Sequence, residues 1–502
     1  MADTRGIPMP HVVVIGAGAA GLKATHDLLA KGYQVTLIEA RHRFGGRAWT
    51  DESMGLPVDL GCQWLHDSPA NPWFTEAKRL KVKIYKQIKS DFYLDPADLS
   101  LDRSKKLKEH VETMESALEN SVKSGDRNSA ASEGAKAAKV DRKDPWYPVA
   151  VARLAALEES AELEEFSTVD LDAKADDEDE DEVDDDVVDE DDQGANEDDH
   201  AAEDGDEGEA AETSYNCLAR GGFGKLISAY GDALVEEYTD ELTVHFTTVA
   251  ELIRWQDDTL TVVTSSVIAG PVLKFTPDAV VVAVPTSIIA SKEIEFLPPL
   301  DLATQKAFAD LPLGAYMKVA LKFSSDIFDP DSYEGQISAK ELKQLRKTLP
   351  GIEAYDEVWP KPASSGHVWK FVCKLHDQNV VVGFVGGKLA RKMEAEKDAA
   401  VVEHALTKLT AMLGPVLGPH VRKLYQNKYL ISRWSQDPWA QGAYSYTKPG
   451  GQGARKHLYD QPLSNRRIFF AGEALWRAAY GTAHGAYKTG AKAAKCIIDE
   501  LG

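Results

Sequence analysis

The sequence predicts an α/β protein of two domains, on three observations. Residues 11–40, HVVVIGAGAAGLKATHDLLAKGYQVTLIEA, read as strand, glycine turn, helix and second strand. At 502 residues the chain is too long for a single core. Its hydrophobic content of 43% suits a globular protein, although the formal net charge is −24. Most of that charge sits in one tract. Residues 176–212 hold 23 Asp and Glu and no Lys or Arg, so the remaining chain is close to neutral. Such a tract cannot offset its ordering entropy by burial and is expected to be a disordered insertion.

The opening unit is justified residue by residue. Val12 to Ile15 is an unbroken apolar run, as expected for a parallel strand buried on both faces. Gly16, Gly18 and Gly21 form G-x-G-x-x-G: a tight turn, a close approach for pyrophosphate, and helix-on-strand packing. The helix start offers N–H groups and a positive dipole end to phosphates. Glu39 ends the second strand, at the spacing used to hold ribose hydroxyls. The unit is Rossmann-like, and FAD and NAD both remain open here. In EARHRFGGR, residues 39–47, Gly45 and Gly46 allow close backbone approach and Arg47 can grip a phosphate through two hydrogen bonds.

That second clamp resembles the E-A-R-x-R-x-G-G-R signature of the flavin-dependent amine oxidases, in which Arg41 also belongs to the FAD site. The resemblance implies FAD and a two-domain flavoprotein fold like that of the monoamine and polyamine oxidases. DLGCQWLHDSPANP, residues 59–72, is similar to the segment beside the flavin ring, nearest the polyamine and spermine oxidases. It implies that Gly61, Gln63 and Trp64 line the isoalloxazine. His66 is either a loop histidine at the surface or a group facing the substrate amine.

ARGGFGKLISAYGDAL, residues 219–234, resembles the return of the chain to the FAD domain. Hairpin strands and a buried strand ending at Pro285 follow. The resemblance places adenine against the backbone of Val249. In LPLGAYMKVALKF, residues 311–323, Lys318 matches the lysine brought over the flavin; by pattern alone it could face solvent, as Lys322 could. Among apolar walls its pKa should fall, so that it can accept or relay a proton. In SRWSQDPWAQGAYSYTKPG, residues 432–450, Trp434 and Tyr444 match aromatic positions at the flavin and substrate cavity. Aromatic faces can hold an incoming cation. Monoamine oxidases bond flavin covalently through a cysteine just before that tyrosine; Ala443 stands here, which implies noncovalent FAD.

Near the end, FFAGEAL places Gly472 and Glu473 at the ribityl chain by the same resemblance. YGTAHGAYKTG begins a helix almost without side chains, on which the flavin is expected to lie. Backbone groups near Thr482 and Ala483 would stabilise charge on reduced flavin. Thr482 stands where monoamine oxidases have a second cage tyrosine, and Tyr480 could supply an aromatic face instead.

The expected division is 1–85, 213–290 and 425–502 for FAD, 86–175 and 291–424 for substrate, with 176–212 inserted. The expected reaction is oxidation of a polyamine or related secondary amine, with imine hydrolysis and O2 reduced to H2O2. The alternatives are an L-amino-acid or monoamine oxidase, or a histone-demethylase-like interaction protein docking a basic partner. The acidic tract is a solubilising linker, an attractor of polyamines, or such a docking site. Nucleic acid is excluded as its partner by like charge. No apolar run is long enough for a membrane span, and the four cysteines lack metal-type spacing. Scattered cysteines and the absence of a leader suggest the cytoplasm, or the nucleus of a eukaryote.

Overall fold

The computed structural model describes residues 9–68, 70–86, 91–94, 101–102, 105–124, 128–170, 215–256, 258–348, 354–360 and 368–502. The acidic tract at 176–212 lies outside them.

The apolar run at the amino terminus becomes the strand His11–Ile15, in the middle of a five-stranded parallel sheet. Its neighbours are Gln34–Ile38 and Ala279–Val282, with Leu242–His245 and Ile468–Phe470 at the edges. Alternation divides the central strand between two cores. Val12 and Val14 face the helices Ala19–Ala30, Phe223–Glu237 and Ala483–Leu501. Val13 and Ile15 face Ala250, Ile253, Leu260 and Val262 of a four-stranded sheet. That sheet contains the expected hairpin, Thr248–Gln256 with Thr259–Ser266. Burial on both faces explains the unbroken apolar run.

A seven-stranded sheet forms the other half. Its order is Tyr425–Ile431, Tyr316–Phe323, Val380–Gly386, Lys370–Val372, Glu357–Pro360, Asp91–Leu94 and Leu101–Asp102. Val319, Leu321 and Val381 pack under the helices Asp398–Met412 and Gly414–Leu424. On the opposite face Ala320, Val382 and Phe384 join a core with Val58 and Leu60. Lys318, two residues before Ala320, therefore points toward the segment after Val58.

The carboxy-terminal helix needs small residues for more than a flavin. A Cβ at Gly490 would lie 2.1 Å from the Ala20 carbonyl oxygen, so this glycine lets the helix press against Ala19–Ala30. A Cβ at Gly485 would lie 2.2 Å from the Ala479 carbonyl oxygen. Both explain bareness by backbone contact. Gly481, Thr482, Ala483 and Ala486 remain to line a cavity. The expectation that the helix start is bare because a flavin lies on it is thus narrowed to Gly481, Thr482, Ala483 and Ala486.

Candidate active site

One cavity of about 930 Å³ runs between the parallel sheet and the seven-stranded sheet. At one end lies the glycine turn. Gly16 has φ +102°, and a Cβ there would sit 2.8 Å from the Ala283 carbonyl oxygen, so only glycine fits without strain. Gly21 does not reach the cavity: its Cβ would meet the Gly16 oxygen at 1.8 Å. Gly18 is the N-cap of the following helix and gives it no side-chain cap, so the helix start opens on the cavity.

The Glu39 carboxylate is held at the end of its strand by the backbone N–H groups of Ala17 and Arg41, each at 2.8 Å. Arg43 pins the loop beneath it, donating to the carbonyls of Phe44, Gly46 and Ala48. Burial pulls the Arg43 guanidinium down to about 10. Arg41 lines the cavity with its guanidinium on Asp437 at 2.6 Å. Arg47 Nη1 donates to Glu473 at 2.7 Å and to the Ala443 carbonyl at 2.9 Å. Glu473 in turn accepts from Ser445 Oγ and from the Gly481 N–H. Burial alone would raise this carboxyl, but the Arg47 charge and the Ser445 hydrogen bond hold it below its ordinary value. The clasp ties the loop after Glu39 to the start of the last helix.

Further along, Asp59 organises the segment expected beside a ring. Its carboxylate accepts from the N–H groups of Phe223 and Gly224 and from Thr50 Oγ1, capping the helix Phe223–Glu237. With the chain fixed there, the carbonyls of Asp59 and Gly61 each accept from Lys318 Nζ at 2.8 Å. Gln63 Oε1 is the third acceptor, at 3.0 Å. Lys318 is 3% exposed, and burial lowers its pKa to about 8 against the opposing charge of Asp59.

Trp434 donates to the Leu60 carbonyl at 2.9 Å and stands edge-on to Trp49. Tyr444 donates to the Glu158 carbonyl and lies 5.8 Å from the Tyr316 ring. Tyr480 donates to the Glu159 carboxylate at 2.9 Å, with Arg455 over its ring at 4.1 Å. Thr482 caps the last helix, its Oγ1 accepting from the Gly485 N–H. His66 Nδ1 is 2.8 Å from Asn216 Oδ1. Trp434, Tyr444, Tyr480, Thr482 and His66, with Gly45, Gly46, Trp64, Val249, Gly472 and Ala483, border the same cavity.

The cavity also has walls that sequence reading did not single out. Tyr316 was within reach of such reading, being two residues from Lys318 on the same face of the strand. Glu158, Glu159, Asn216, Glu357 and Lys370 carry no local signal. Burial, then the charges of Glu357 and Glu158, push the Tyr316 phenol well above its ordinary value. Cys62 also borders the cavity, and burial pushes its thiol up to about 12, leaving it protonated.

A dinucleotide fits these residues. The glycine turn and uncapped helix start supply phosphate donors, while Glu39 supplies the acceptor for a ribose. Among the described residues Gln63 Nε2 is a buried donor without a partner on the cavity wall, which a ring carbonyl or nitrogen would satisfy. The model of the flavin-containing amine oxidoreductase family matches residues 19–498. The chain belongs to that family. It is an FAD-dependent amine oxidoreductase.

Similar proteins include probable polyamine oxidase 4 of Arabidopsis thaliana, 26% identical over 98% of this chain and 88% of the relative. Lysine-specific histone demethylase 1 homolog 3 of the same plant is 26% identical over 98% of this chain but only 30% of its own length. A structure of putrescine oxidase bound to putrescine shares the fold, with a TM-score of 0.69 at 18% identity over 98% of this chain and 99% of that one.

Proposed function

We propose that this amine oxidoreductase acts on a polyamine or a related secondary amine. The observation that carries this reading is the pair of acids Glu158 and Glu159 in the cavity that also holds Lys318. A substrate with several ammonium groups matches such walls, and Tyr316 and Tyr444 on the same cavity wall offer aromatic surface to an incoming cation. The polyamine oxidase relatives support the same class.

FAD, when bound, supplies the acceptor for a hydride from the carbon beside the nitrogen and passes the electrons to O2, giving H2O2. The chain does the rest. Glu39 and the glycine turn hold the nucleotide half, and Glu473 with Arg47 fixes the segments around the ribityl region. Lys318 holds or moves a proton near the reacting carbon, because its lowered pKa lets both protonation states occur near neutral pH. Trp434, Tyr444 and Tyr480 exclude water and orient the amine as its neutral form. The imine product is hydrolysed by water after it leaves.

An amino-acid substrate would call for an arginine to pair with its carboxylate. Among the described residues lining the cavity the arginines are Arg41 and Arg47, both engaged by acids of the chain. Arg346 and Arg391 pair with Asp331 and Glu165, and Arg153 lies over Trp359, which favours a cationic substrate. We assign the acidic tract a role in drawing polycations toward the enzyme. The four free cysteines suit the cytoplasm or nucleus. A peroxide-coupled screen of spermine, spermidine, putrescine and their acetylated forms tests the substrate class. Peroxide from at least one of them is expected; no flavin reduction by any of them contradicts the reading.

A further inference from the structure

Lys318 has a counterpart across the sheet. Phe384, on Val380–Gly386, pairs with Lys318 on one side and with Lys370 on the other. Residues directly opposite in neighbouring strands share a face, so the two lysines flank Phe384 on the cavity side. Two strand spacings separate their backbones, on the order of 10 Å. The rings of Trp64 and Phe384 lie between the two ammonium groups, 5.5 and 5.3 Å from Lys318 and 5.5 and 5.1 Å from Lys370. Trp359 adds a third ring 5.9 Å from Lys370, and Glu357 Oε1 is 3.1 Å from its Nζ. The Glu357 and Lys370 side chains are 3% and 12% exposed.

A carboxylate with three aromatic faces is what recognises an alkylammonium ion. Here the chain's own lysine fills that place inside the substrate cavity. We propose that Lys370 is a specificity-determining residue, an internal cation occupying an ammonium subsite built from Glu357, Trp64, Trp359 and Phe384. This rests on the reading of the cavity as an amine site. An amine whose distal nitrogen reaches this subsite meets a like charge, whereas one acetylated there does not. The wild-type enzyme therefore prefers the substrate that is uncharged at that nitrogen. Removing Lys370 hands the Glu357 carboxylate and the rings to the substrate's ammonium.

The alternative role is a buried ion pair that only shapes the fold, and such pairs contribute little net stability. Equilibrium binding separates the two. Dissociation constants for spermine and for N-acetylspermine are measured anaerobically by calorimetry on the FAD-loaded protein. Lys370→Met is expected to improve spermine binding relative to acetylspermine by about tenfold, in line with a cation gaining a desolvated carboxylate and aromatic site. Lys370→Arg should keep the wild-type ratio, and Lys370→Met with Glu357→Gln should lose the gain. A ratio changed less than twofold in Lys370→Met overturns the proposal, as does failure of that variant to bind spermine. Flavin reduction is followed in the same samples. Its absence in wild type would count against amine oxidation, while the affinity ratio alone judges Lys370.

Discussion

The two ends of the cavity are built in different ways. The nucleotide end is written almost continuously in residues 11–47 and relies on backbone: a glycine turn, a helix start and a carboxylate held by two N–H groups. The amine end gathers residues from 60–66, 157–159, 216, 316–318, 357, 370, 434–444 and 480–483. Its charges are set by burial and by neighbours distant in the chain. A cofactor shared across a family can be read by local backbone geometry. A particular substrate is read by a constellation that only the folded chain assembles.

That contrast predicts which changes remove the cofactor and which remove only the chemistry. The largest effect is expected from Lys318→Met, which should lower turnover by about 100-fold or more while FAD content stays at the wild-type level. Its pH dependence sharpens the point. Below about 8 the Lys318 ammonium is charged and its three acceptors hold it; above that value the neutral amine can take a proton. The kcat/KM profile should rise through an ionisation near 8 that is missing in the methionine variant, leaving only the substrate's own limb.

Gly16→Val is the matching change at the other end. With φ +102° and a carbonyl 2.8 Å from the new Cβ, it should weaken FAD affinity by about tenfold or more, at a strain of about 1–3 kcal/mol. Protein purified with its full complement of flavin would contradict this. Gly490→Ala tests the part of the last helix assigned to packing. It should cost about 1–3 kcal/mol in denaturant unfolding, with little change in KM for the amine. The smallest effect belongs to deletion of residues 176–212. KM for a polyamine should rise severalfold at low salt and match wild type at high salt, because screening removes long-range attraction.

The same contrast governs what could be read from the sequence. The first parallel strands, the hairpin at 248–266 and the last helix follow from apolar runs, alternation and glycine spacing, which are local. Lys318 was legible only because its flanking pattern resembles a family; alternation alone does not say which face of the strand looks inward. Its control by the Asp59 and Gly61 carbonyls was not legible, since no pattern announces a backbone acceptor 257 residues away. Glu158 and Glu159 sit in an acidic run that reads as a solvated surface, yet Glu159 is 2% exposed beneath Tyr480. Lys370 and Glu357 look like unrelated charges on two strands until folding pairs them and brings the Trp64 ring to Lys370. The glycines of the last helix show the converse. Their spacing was plain, but two of them answer to carbonyl oxygens of the protein itself.

The central claim is that an FAD held by the glycine turn takes electrons from an amine bound beside Lys318. Anaerobic mixing of the purified protein with spermine, followed by its visible absorption, measures this directly. The account predicts a flavin spectrum that bleaches on mixing and returns with peroxide when O2 is admitted, at a rate that collapses in Lys318→Met. A flavin spectrum that no polyamine changes, or bleaching that proceeds equally fast without Lys318, would contradict it.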